Sequence, residues 1–228
     1  MEDNPSLTEK IRRRYQRLYT GIFYRRFILG EWAAAEGRIY DFFYRERDAV
    51  PAPEGRMECW RVSVDYGTAN PTSMGLWGRR NGIWYRVKEF YFNSREARRQ
   101  MTDEEYARAL EGLAGERRIT AVIVDPSAAS FIEVLRRKGW RVRKAENDVL
   151  SGIRLTSDLL KAGKIVICEG CADCLREMDE YVWDLSGGGK DKVRKEHDHA
   201  MDDMRYFAAT VLGERQEGVS AWAVERRR

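Results

Sequence analysis

Two apolar runs, each closed by an aspartate, constrain the fold of this chain more than any other feature. In Arg61-Val62-Ser63-Val64-Asp65-Tyr66-Gly67, Val62 and Val64 alternate with Arg61 and Ser63. That is the period of a strand with one apolar face, and the Asp and Gly end it. Thr120-Ala121-Val122-Ile123-Val124-Asp125-Pro126 is continuously apolar up to its Asp, the pattern of a strand buried on both faces. Both strands carry a carboxylate at their C-terminal ends. A third acidic group, within residues 198–203, opens the last strongly helical stretch.

The elements between these runs follow from local signals. Asn81-Gly82 separates two apolar runs over 73–80 and 83–91, and Asn-Gly predicts a hairpin because both turn residues tolerate positive φ. Thr102-Asp103-Glu104-Glu105 predicts a helix to about residue 113, since the Thr hydroxyl and the Glu carboxylate can satisfy two orphan amides. A helix around 131–135 stops at Gly139. Then come a strand over 140–143, a helix over 149–162, a strand over 164–168 and a helix over 172–183. The glycine-rich stretch 186–190 leads to a final helix over 197–212. Three antiparallel strands followed by β-α units predict an α/β fold, a mixed sheet flanked by helices.

Residues 1–58 differ from the rest. Ile11, Tyr15, Leu18 and Tyr19 form one apolar stripe against a basic helical face. The later Phe, Tyr and Trp residues are too irregular to make their own core, so the segment is expected to pack onto another body. Pro51-Ala52-Pro53-Glu54-Gly55 marks its end. Residues 59–213 form the main domain, and 214–228 a basic tail.

The 228 residues are 43% hydrophobic and 34% charged, with net charge +4. That balance suits a soluble globular chain, and the mild basic bias is compatible with nucleic acid. No run reaches the roughly 18 apolar residues of a membrane span, and the acidic, polar start is unlike a signal peptide. Cys168, Cys171 and Cys174 have the spacing C-x2-C-x2-C, but with Cys59 remote they read as buried apolar residues on a strand end and a helix.

On the last helix Asp198 and Asp202 are four residues apart, and His199 and Asp202 three apart, so they share a face. Asp203 is turned away by about 100° and reads as a complement to the helix dipole. Asp65 and Asp125 would approach from neighbouring strand ends. Carboxylates gathered in this way repel unless a hard divalent cation neutralises them. Two such ions, Mg2+ or Mn2+, could activate water and stabilise the leaving oxygen of a phosphodiester, with His199 as a further ligand or support.

Strand–Asp65, the Asn-Gly hairpin, strand–Asp125, Tyr181-Val182-Trp183-Asp184 and Glu196-His197-Asp198-His199-Ala200-Met201-Asp202-Asp203-Met204-Arg205-Tyr206 together resemble the nuclease domain of phage terminase large subunits. These are RNase H-like nucleases. The resemblance covers about 59–212, and Gly30-Glu31-Trp32 through Gly37-Arg38-Ile39-Tyr40 resembles the connector that follows the packaging ATPase. It implies a metal-dependent endonuclease cutting concatemeric double-stranded viral DNA during packaging in the host cytoplasm. It also implies Asp65, Asp125 and Asp202 as the catalytic triad, with His199 and Asp198 beside the metals. The expected partners are DNA, the ATPase domain, the small terminase subunit and the portal protein.

The same resemblance makes the stretch before the last helix a hairpin near the metals, where Lys190, Lys192, Arg194 and Lys195 could contact DNA phosphates. Arg95, Arg98 and Arg99 read as an exposed lead-in to a helix. No G-x-x-x-x-G-K-[ST] motif occurs, so ATP hydrolysis is not expected of this chain. Two other readings stay open at this stage: a different RNase H-like activity (junction resolvase, transposase or RNase), and a non-catalytic docking module of the motor.

Overall fold

The computed structural model describes residues 37–184 and 191–213. The helix expected over 11–19, the glycine-rich stretch with Lys190 and the tail 214–228 lie outside the described residues.

Six strands make one sheet: β1 (Cys59–Asp65), β2 (Thr72–Arg80), β3 (Ile83–Phe92), β4 (Ile119–Val124), β5 (Val142–Lys144) and β6 (Ile165–Ile167). Their order is β5-β4-β1-β2-β3-β6. β1, β2 and β3 pair antiparallel, whereas β4 joins β1, β5 joins β4 and β6 joins β3 in parallel. The mixed sheet is therefore the one expected. Asn81 and Gly82 turn the β2–β3 hairpin with φ of 51° and 77°. Val64 sits opposite Val124, so Asp65 and Asp125 leave the sheet side by side at the same end.

The helices are α1 (Arg45–Asp48), α2 (Asp103–Ala114), α3 (Ala129–Arg137), α4 (Val149–Lys161), α5 (Ala172–Glu180) and α6 (His199–Ala208), the last continued by a π-helical turn at Ala209–Gly213. Side-chain alternation divides the core in two. Val62, Val64, Val122 and Val124 pack with Tyr106 and Leu110 of α2 and Phe131 of α3. Trp77 and Ile123 face the other way, with Ile153 of α4, Met178 of α5 and Phe207 of α6. β4 needs apolar residues on both faces because both are covered. Phe207 stacks on Trp77 with ring centroids 4.1 Å apart. Tyr40 and Phe43, N-terminal to the sheet, belong to the same core as Phe207.

Three boundaries differ from the sequence reading. β5 begins two residues later than expected, at Val142. α5 stops at Glu180 because residues 181–183 are extended: Ile39 N donates to Tyr181 O, and Trp183 N to Gly37 O. α6 starts at His199, since His197 has a left-handed φ of 52° that a helix cannot contain. Cys168, Cys171 and Cys174 are buried free thiols, as the apolar reading expected, and burial pushes Cys171 up to about 12.

Candidate active site

A cleft of about 400 Å³ opens at the sheet end where β1 terminates, lined among others by Asp65, Asp198, His199 and Asp202. Each reaches it for a local reason. Asp65 is the last residue of β1. Asp198 is the N-cap of α6, and His199 and Asp202 lie in its first turn. His199 Nδ1 is 2.9 Å from Asp65 Oδ2, which joins strand and helix directly. Asp202 Oδ1 accepts from Arg205 Nη2 at 3.0 Å, and Asp202 Oδ2 from Lys195 Nζ at 3.2 Å. Lys195 also lies 3.1 Å from Asp198 Oδ2.

Asp125 stands beside this group rather than in the cleft wall. Its Oδ1 accepts the Ser127 amide at 2.7 Å, a tight local turn before α3. The Tyr206 hydroxyl, one turn beyond Asp202 on α6, is its other partner. Burial pushes the Asp125 carboxyl up, but hydrogen bonds from Ser127 and Tyr206, with the Arg205 charge, hold it below the usual carboxylate range. Asp65 goes the other way. Burial raises it to about 6, the His199 hydrogen bond opposes, and the Asp202 charge adds to the rise. Burial disfavours charged His199, yet Asp65 and neighbouring carboxylates leave its pKa raised.

Asp203 does not serve the helix dipole as the sequence suggested. It is fully buried, and its carboxylate accepts from Ser63 Oγ at 2.8 Å, Arg86 Nη2 at 2.9 Å and Ser73 Oγ. Arg86 reaches it from β3 only because position 75 is glycine; a Cβ there would overlap the guanidinium.

Of the basic residues expected to meet DNA, Lys190 lies outside the described residues. Lys192 is exposed, and Arg194 is exposed and paired with Glu196 at 2.7 Å. Lys195 is turned onto the acidic group. Residues 182–184 and 192–194 pair antiparallel, through Asp184 N to Lys192 O and Arg194 N to Val182 O. Arg95 is more than a lead-in: it lines the cleft and donates to Asn70 Oδ1 at 2.9 Å.

Sequence reasoning missed Tyr206 and Glu177. Tyr206 was within reach, since it lies four residues from Asp202 on the same helix face. Glu177 gave no such signal. Its buried carboxylate accepts from Tyr91 Oη and Ala200 N, both at 2.6 Å.

Among the described residues, no three His, Cys, Asp or Glu side chains are gathered into a ready cation cage. The donor set nevertheless suits a hard divalent ion: carboxylate oxygens with one imidazole. His199 lies against Asp65, and Lys195 and Arg205 lie against Asp202.

Residues 83–210 match the family described as Terminase RNaseH-like domain. The large terminase of a thermophilic bacteriophage, solved in complex with ADP, is 46% identical with a TM-score of 0.88 over 92% of this chain and 54% of that one. The terminase large subunit of Escherichia phage T5 is 22% identical over 90% of this chain and 49% of its own length. The large terminase nuclease of thermophilic phage G20c with bound magnesium shares the fold at 13% identity, with a TM-score of 0.58 over 76% of this chain and 97% of that one. The chain thus spans about half the length of the T5 subunit and of the ADP-bound terminase. The matched span and these likenesses make it a member of the Terminase RNaseH-like domain family.

Proposed function

We propose that this chain is the nuclease part of a terminase large subunit, a divalent-metal-dependent endonuclease that cuts concatemeric double-stranded viral DNA during genome packaging. The observation that carries the reading is the convergence of Asp65 from a strand end with Asp198, His199 and Asp202 from one helical turn, in an open cleft of this family's fold. Asp65, Asp125 and Asp202 would hold the cations, with His199 and Asp198 beside them. Bound Mg2+ or Mn2+ would supply activation of water and stabilisation of the leaving oxygen.

The chain's own groups do the rest. Tyr206 and Ser127 keep Asp125 ionised and oriented, and Arg205 orients Asp202. Lys190, Lys192 and Arg194 would meet phosphates without reading sequence. Lys195 would exchange its carboxylate contacts for phosphate as DNA enters. An ATPase domain, a small terminase subunit and a portal protein would be the partners, in the host cytoplasm.

Supercoiled-plasmid nicking in EDTA, magnesium and manganese tests this. Wild type should cut only with metal. Asp125→Asn and Asp202→Asn should lose at least about 100-fold, the scale of loss when one group that stabilises the transition state is removed, and keep the wild-type circular dichroism. Full activity in either variant would remove that residue from the site.

A further inference from the structure

The N-terminus of α6 is held by a residue of another helix. Its own N-cap, Asp198, makes no side-chain capping bond. The Ala200 amide, one of the four that a helix start leaves without an internal partner, donates instead to Glu177 Oε2 at 2.6 Å. Glu177 sits in the last turn of α5, fully buried, and its second oxygen is fixed by Tyr91 Oη at 2.6 Å. α5 repeats the arrangement. Its N-cap Cys171 makes no side-chain cap, and Glu89 of β3 accepts from Asp173 N at 2.7 Å and Cys174 N at 3.2 Å. Glu89 is paired with Arg86 at 3.2 Å, and Arg86 also grips Asp203 on α6. Two glutamates, Glu89 and the buried Glu177, thus pass the position of β3 to α5, and of α5 to the first turn of α6.

We infer that Glu177 is a positioning residue for the acidic site: by capping α6 from outside, it sets where His199 and Asp202 stand relative to Asp65. The inference rests on the nuclease reading for its purpose, though not for its geometry. His199 and Asp202 flank the capped amide within one turn, so a shift at Ala200 moves both. Tyr91, which lines the same cleft, anchors the cap. A glutamine at 177 would keep an acceptor for Ala200 and a polar partner for Tyr91. A leucine would leave both buried donors without one.

The test is backbone amide exchange by NMR in EDTA, with manganese titration by calorimetry, for wild type, Glu177→Gln, Glu177→Leu and the milder Tyr91→Phe. In Glu177→Leu, Ala200 and its neighbours should exchange at least about tenfold faster while β4 amides hold. Manganese affinity should fall about 10–100-fold, the usual cost of losing a group that orients a ligand. Glu177→Gln should stay within about threefold of wild type in both, with Tyr91→Phe between. Unchanged α6 exchange in Glu177→Leu, equal acceleration across the whole sheet, or a Gln variant as impaired as Leu would each overturn the inference. If even wild type binds no manganese while the α6 pattern appears, the cation site falls and the positioning of α6 stands.

Discussion

Asp202 and Asp203 are separated by about 100° around α6, and that rotation sends one carboxylate to the cleft and the other against the sheet. Asp203 there meets a fully buried guanidinium, and both charges lack solvent. Such a pair contributes little beyond what apolar residues would, yet removing one partner strands the other. Asp203→Ala should therefore lower unfolding stability by about 3–5 kcal/mol, measured by urea denaturation in EDTA. A loss under about 1 kcal/mol would mean that Glu89 alone can meet the charge of Arg86. The same reasoning explains Gly75, whose missing side chain is the space Arg86 occupies. Nothing in the neighbouring residues of β2 announces that need.

Among the elements, helix starts divide into two kinds. α2 caps itself: Glu105 N donates to Thr102 Oγ1 at 3.2 Å and Thr102 N to Glu105 Oε2 at 2.8 Å, as Thr102-x-x-Glu105 announces. α5 and α6 are capped by glutamates distant in sequence. Burial of one of these, Glu177, raises its carboxyl from 4.5 to about 7. The folded protein then keeps a proton there that the unfolded chain has released, so the contribution of this group is full below about pH 4.5 and is lost as pH rises through 7. Glu177→Gln has no such loss. Its stability relative to wild type should improve by on the order of 3 kcal/mol between pH 4.5 and 8. Urea denaturation in EDTA at both ends of that range checks it; a constant difference would mean that the carboxyl titrates normally.

At the scale of the whole molecule, the sheet is covered on both faces, and residues before it complete one cover. Tyr40 is fully buried and stacks on Tyr181 with centroids 5.7 Å apart. Phe43 and Ile39 join the same core, and Val50 pairs with Cys168 beyond β6. Residues 37–50 therefore belong to the packed body, although the sequence placed a boundary after them. Tyr40→Ala should cost about 3–5 kcal/mol, the range for a buried aromatic truncated to alanine, read as a lowered urea midpoint. A cost below about 1 kcal/mol would show that the core is complete without this segment.

The sheet was legible because its signals are local. Period-two alternation in β1, the unbroken apolar run of β4 and Asn81-Gly82 specify strands and a turn wherever they occur. Parallel pairing then brings Asp65 and Asp125 to one end. The helical spacing of Asp198, His199 and Asp202 was legible too, because 3.6 residues per turn fixes which side chains share a face. The sequence could not show the long-range contacts that fix these elements: Glu177 under α6, and Arg86 on Asp203. These contacts join residues up to 117 positions apart. No local pattern encodes them, because they depend on which faces the closed sheet buries together, and only the tertiary structure decides that.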